Sequence, residues 1–152
     1  MTMPDRRKPG HHRPAWVKES DPIFLTICGD CRGVNQFARE PQWNSLVKSA
    51  DHLRDLGIWQ PILMLAMPDH VHIITIIPKK IGLAAAIRRF KRAASYGGLI
   101  RWQPAAFDHR IRSDDSYREN LGYIMANPKR GGLTKADETW PYVKSWSLNI
   151  PR

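Results

Sequence analysis

The chain alternates short apolar runs with stripes of apolar residues at helical spacing. Pro22 opens a run from Ile23 to Ile27, which reads as a strand. A segment with little pattern follows, from Gly29 to Glu40. Pro41 suits a first helical position, and Trp43, Leu46, Val47, Ala50, Leu53 and Leu56 then recur at helical spacing until Gly57. Ile62 to Met67 is a second apolar run. Pro68-Asp69 turns the chain into a third, Ile73-Ile74-Thr75-Ile76-Ile77, which is β-branched and too short for a helix. Leu83, Ile87, Phe90 and Ala94 form the stripe of a second helix, closed by Gly97-Gly98. Phe107 to Arg112 reads as a fourth strand, and a third helix is predicted from about Asp115 to Asn127, stopped by Pro128. The first six elements follow the βαββαβ order of ferredoxin-like folds. The expectation is an α+β protein: an antiparallel sheet, helices on one face, and an additional C-terminal helix lying against the sheet or across an edge.

Charge changes the picture. Among 152 residues, 24 are Lys or Arg and 14 are Asp or Glu, giving a formal net charge of +10. Such a balance favours a polyanionic partner. No apolar stretch approaches the roughly 20 residues of a bilayer span, and Arg6, Arg7 and Lys8 have no apolar segment behind them as a secretory signal would. Nucleic acid is therefore the expected partner, and a cytoplasmic, nucleoid-associated location the expectation. Residues 1–20, basic and rich in Pro and His, read as a flexible arm before a single domain from 21 to 152. From Lys79 to Arg112 there are nine basic residues and one acid, Asp108. Arg88, Arg89, Lys91, Arg92, Arg101, Arg110 and Arg112 are candidate phosphate contacts, joined by Lys129 and Arg130. Trp102 beside Arg101 is a candidate base-stacking residue, while Trp43, Trp140 and Trp146 suit the core.

Two constellations carry chemistry. His70 and His72 open the third strand, and strand alternation puts both imidazoles on one face, half of a metal site. A core role is the competing reading. On the third helix, Tyr123 and Asn127 are four apart and share a face with Glu119 and Asn120 nearby. Asn127 offers an amide oxygen as a third ligand, and Tyr123 a hydroxyl that can act as a covalent nucleophile. The bland alternative is packing for Tyr123 and a helix end for Asn127. Cys28 and Cys31 form a rival, since with the two His they supply four possible zinc ligands if all converge. Asp108-His109 is either a structural pair or a group near the substrate.

Met67-Pro68-Asp69-His70-Val71-His72 resembles the Met-Pro-Asn-His-Val-His signature of the REP-associated tyrosine transposases, single-tyrosine members of the HUH endonucleases. Trp102-Gln103 through Phe107-Asp108-His109 and Arg112 resembles a second block of that family, Trp-Gln … Phe-x-Asp-His-x-x-Arg. Tyr123-Ile124-x-x-Asn127-Pro128, with Gly131, Gly132 and Leu133, resembles a third. The likeness covers roughly residues 60 to 133, more loosely 23 to 142. Asp69 stands where Asn is usual, Pro104-Ala105-Ala106 where Gly is common, and Gly131 where Ala is common. The resemblance implies a divalent ion, Mg²⁺ or Mn²⁺, held by His70, His72 and Asn127, and Tyr123 as nucleophile on single-stranded hairpin DNA, leaving a 5′-phosphotyrosine link. The expected assembly is a monomer or a homodimer, which the sequence leaves open. The alternatives are a hairpin-binding protein that does not transpose, and a small zinc-stabilised nucleic-acid-binding protein.

Overall fold

The computed structural model describes residues 21–95, 97–135 and 137–146, so the expected N-terminal arm lies outside the described residues. The elements are β1 (Ile23–Gly29), α1 (Glu40–Asp55), β2 (Gln60–Ala66), β3 (His70–Ile76), α2 (Leu83–Ala94), β4 (Trp102–Arg110), α3 (Asp114–Arg130) and β5 (Val143–Ser145). All strand pairs are antiparallel, in the order β4-β1-β3-β2-β5. The βαββαβ element order is present. The sheet differs from the expected four-stranded ferredoxin-like one, because β5 adds a fifth strand beside β2. That strand has three residues and no apolar run, so its sequence carries no strand signal; backbone pairing to β2 makes it. Pro61 is accommodated where the β2–β3 register shifts, the position in a sheet that tolerates a missing donor.

Alternation along the strands creates two cores. Leu25, Ile27, Val71, Ile73 and Met64 point to α1 and α2, where Leu46, Ala50, Leu53 and Phe90 meet them. Trp59 is wholly buried there, donating its Nε1–H to the Ala50 carbonyl at 3.1 Å. Trp43 packs at its margin, and Trp146 is buried with its Nε1–H on Asp51 at 2.7 Å. Trp140 instead packs on the other face. There Phe24, Leu65, Ile74 and Ile76 receive Ile124 and Leu121 of α3. The additional helix therefore lies against the sheet, opposite α1 and α2.

The ends of α3 have local causes. Ser113 caps it by accepting from the Ser116 N–H at 3.0 Å. Asp114 and Asp115 occupy the first turn and Lys129 and Arg130 the last, as the helix dipole favours. Pro128 does not stop the helix as expected. It sits buried in the last turn, and Gly131 N–H still reaches the Asn127 carbonyl at 2.9 Å, so one missing donor costs one bond and not the turn. The fourth strand begins earlier than expected, at Trp102, because its pairing to β1 runs through Gly29.

Candidate functional site

The central strand β3 starts at the two histidines. Its alternation sends Val71 and Ile73 into the α1/α2 core and turns His70 and His72 towards α3. Their ring centres are 4.7 Å apart. Each imidazole has its Nδ1 occupied. His70 Nδ1 lies 2.8 Å from Asp69 Oδ1, and His72 Nδ1 lies 3.0 Å from Thr26 Oγ1, its cross-strand neighbour on β1. In the tautomer whose Nδ1–H donates to its oxygen partner, the lone pair of a neutral ring lies on Nε2. The Nε2 of His72 is buried and has no hydrogen-bond partner. An orphaned buried ring nitrogen is costly unless something binds it, and an acceptor behind each ring is the usual support of a metal-ligating histidine.

Electrostatics keep the His72 ring in the ligand form. Burial, with smaller contributions from the charges of His70 and Arg130, lowers the pKa of His72 to about 3, so it is neutral at ordinary pH. Burial opposes ionisation of Asp69. Hydrogen bonds from His70, the Gly33 N–H and Arg32 outweigh it and hold its pKa at about 2.

Helix α3 supplies the other wall. Tyr123 is half exposed, with its ring centre 6.1 Å from that of His72 and 6.2 Å from that of Phe24. The Arg130 guanidinium stacks over the phenol ring at 4.5 Å and donates to the Tyr123 carbonyl at 3.2 Å. Asn127 donates its Nδ2–H to the same carbonyl at 3.3 Å, which leaves its amide oxygen for another partner. His70, His72, Tyr123 and Asn127 line one open cavity of about 630 Å³. The donor set, two imidazoles and an amide oxygen beside a phenol, suits a divalent cation. Phe107 and His109 of β4 also line it, since the β1–β4 register puts them on the face of Thr26 and Phe24.

Other expected site residues lie elsewhere. Arg88, Arg89 and Arg92 are carried on α2, across the sheet from the cavity. Arg89 and Arg92 border a groove between α1 and α2. Lys91 is turned inward, its ammonium donating to the carbonyls of Gln103 at 2.9 Å and Pro104 at 3.1 Å. Trp102 stacks on Phe37 at 5.0 Å and donates to the Lys91 carbonyl, so its ring is occupied by packing in place of the free stacking face anticipated. Arg101 pairs with Asp30 at 3.0 Å, and its backbone N–H meets Gln36 Oε1. Arg110, Arg112 and Lys129 are exposed. Asp108 and His109 point to opposite sheet faces and are no pair.

The zinc reading is corrected. Cys28 is buried beside the cavity and Cys31 is exposed, and among the described residues no three His, Cys, Asp or Glu side chains converge on a metal position. Burial also raises the Cys28 thiol pKa, against thiolate ligation. No helix among the described residues is long and apolar enough to cross a membrane. Sequence pattern alone misses Arg32, which lines the same cavity from a loop without periodicity. Its only signal is its charge, which Arg39 shares in the same patternless segment.

No protein-family model matches the chain. By sequence it is similar to the REP-associated tyrosine transposase of Escherichia coli K12, 28% identical over 81 residues, covering 51% of this chain and 49% of that protein. It is also similar to a Haemophilus influenzae protein that provisionally bears the same name, 25% identical over 101 residues, covering 55% and 57%. The chain thus spans about half the length of the curated relatives it matches. In fold it resembles a REP-associated tyrosine transposase solved bound to a REP hairpin, with a TM-score of 0.71 and 19% identity, covering 100% of this chain and 92% of that one. The three motif blocks stand in order on the elements that build the cavity, and in sequence the chain is similar to REP-associated tyrosine transposases.

Proposed function

We propose that this protein nicks and rejoins single-stranded DNA next to a hairpin, through a covalent tyrosine–phosphate link, with a divalent ion held by His70, His72 and Asn127. The observation that carries this reading is the shared cavity: a half-exposed phenol on α3 facing two pre-oriented imidazoles on β3. A relative of the same fold bound to a REP hairpin supports the choice of hairpin DNA.

Tyr123 Oη attacks the scissile phosphorus. The Oη–P bond forms, the P–O3′ bond breaks, and the departing 3′ oxygen takes up a proton while the phenol loses one. The 5′ end is left on Tyr123, and the free 3′-OH can later reverse the step to rejoin strands. Mg²⁺ or Mn²⁺, when bound, supplies Lewis-acid stabilisation of the charge that develops on the phosphate and leaving oxygen. The chain's own part is placement. Arg130 holds the phenol ring by stacking, Asp69 and Thr26 fix the imidazoles, and α3 carries nucleophile and amide one turn apart. Arg88, Arg89, Arg92, Arg101, Arg110, Arg112, Lys129 and Arg130 are assigned to the DNA backbone, and the protein acts as a monomer or homodimer.

The test is incubation of the purified protein with a labelled single-stranded hairpin and Mg²⁺ or Mn²⁺. A protein–DNA adduct that survives a denaturing gel is expected, with far less on a fully paired duplex. Equal adduct formation in excess chelator refutes the metal role, and no adduct on any hairpin refutes the reading.

A further inference from the structure

Asp69 is shared between two side chains of different kinds. Its Oδ1 receives His70 Nδ1–H at 2.8 Å. Its Oδ2 receives the Gly33 N–H at 2.7 Å and Arg32 Nε–H at 3.1 Å. The backbone around it is tied to the same loop: Gly29 N–H donates to the Asp69 carbonyl, and Gln36 and Phe37 N–H to that of Pro68. Gly33 reaches Asp69 from a φ of +82°, a conformation that favours glycine. The loop after β1 is therefore clipped to the turn that leads into the histidines.

The clip aims Arg32. The side chain is 66% exposed and lines the cavity that holds His70, His72 and Tyr123. Only its Nε is used by Asp69, and among the described residues both Nη groups have no hydrogen-bond partner. An exposed ion pair of this kind adds little to stability. A guanidinium held at Nε with its Nη edge open is pre-organised for bidentate contact with a phosphate. A second guanidinium, that of Arg130, stacks on the phenol of Tyr123, which lines the same cavity.

We propose that Arg32 is a phosphate-binding residue of this cavity, and that Asp69 is the positioning residue that sets both Arg32 and the ligand face of His70. This rests on the reading of the cavity as a DNA-cleavage site. One carboxylate then couples where the backbone phosphate sits to where the cation sits. The position at which this chain departs from the Asn of the signature it resembles is the one that carries that charge.

The experiment uses the full chain carrying Tyr123→Phe, which prevents turnover. Binding of a fluorescein-labelled oligothymidine 12-mer is followed by anisotropy over a salt series, and Mn²⁺ binding without DNA by electron paramagnetic resonance. Arg32→Ala is expected to lower the slope of log K against log[salt] by about 0.7, one single-strand phosphate contact, and to leave Mn²⁺ affinity unchanged. Asp69→Ala is expected to weaken Mn²⁺ binding about 10–100-fold and oligothymidine binding with it. If Asp69→Ala does not fold by circular dichroism, Asp69→Asn, which keeps an acceptor oxygen but no charge, is expected to weaken both in the same direction. A parental slope in Arg32→Ala, a loss of Mn²⁺ affinity in Arg32→Ala, unchanged Mn²⁺ affinity in a folded Asp69 variant, or no oligothymidine binding by the parent overturns the proposal. A wild-type chain that forms the adduct while Arg32→Ala keeps its slope overturns this proposal and leaves the cleavage reading standing. Absence of any adduct sinks the cleavage reading, and the slope still reports on Arg32.

Discussion

Tyr123 and Ile124 are neighbours on α3 with opposite fates. Ile124 is wholly buried against β1, β2 and β3, and Tyr123 stands half exposed at the cavity's edge. Docking of the one residue therefore places the other. Ile124→Ala removes buried methylene and methyl groups at this point and should cost about 2–5 kcal/mol of stability. It should also loosen the approach of the phenol to His72. Urea denaturation read alongside adduct yield checks this. A variant as stable as the parent would show that α3 is held by its other contacts.

Tyr123→Phe deletes one oxygen that has no hydrogen-bond partner among the described residues. The stack with Arg130 and the contact with Phe24 use the ring, so fold and DNA affinity should stay within error of the parent. The covalent adduct should vanish. If the Phe variant still forms an adduct, peptide mapping identifies which of the other three tyrosines, Tyr96, Tyr117 or Tyr142, accepts the DNA.

The metal-free protein should lose stability as acid is added, in part through His72. Its pKa falls from 6.5 to about 3 on folding, so between these values the unfolded chain binds a proton that the folded chain refuses. Stability from this group is fully present above about pH 6.5 and declines towards pH 3, by up to about 1.4 kcal/mol per pH unit. Asp69 acts with the same sign over a lower window, between its ordinary value of 3.8 and about 2. Chemical denaturation at a series of pH values should show the slope between about pH 6 and 4, and His72→Gln should flatten it. A slope unchanged in that variant assigns the acid sensitivity elsewhere.

Legibility followed physical range. Residues whose placement is set by their own element can be read directly: the shared face of the His pair from strand alternation, that of Tyr123 and Asn127 from helical spacing, and α2, whose bounds match the apolar stripe. What depends on a distant partner cannot. Val143–Ser145 becomes a strand only because β2 offers an edge. Phe37 is fully buried from a loop without period, and stacks on the Trp102 that its basic neighbour alone suggested for a nucleobase. Lys91 has the look of one more cation on a basic helix, yet the carbonyls of the strand beside it claim its ammonium, and burial lowers its pKa. Arg32 acquires a role only once Pro68-Asp69 is folded against its loop.

The arginines of α2 give the last prediction, and their position sharpens it. Arg88 and Arg92 lie on the helix that covers the opposite sheet face from His70 and His72. Arg92 borders, with Lys48 and Arg89, a groove of about 760 Å³ between α1 and α2. Nothing on that face can take part in the chemistry at Tyr123, so any contribution must come through DNA that passes around the sheet. Arg88→Ala with Arg92→Ala should lower the slope of log K against log[salt] by up to about 0.7–0.9 for each phosphate that the variant no longer engages. The adduct rate at saturating DNA should stay that of the parent, because binding that is equal in ground state and transition state moves KM and not kcat. A slope equal to the parent's would mean that α2 faces solvent in the complex. A fall in the saturated rate would mean that α2 acts on the cleavage step itself, through the sheet it packs against.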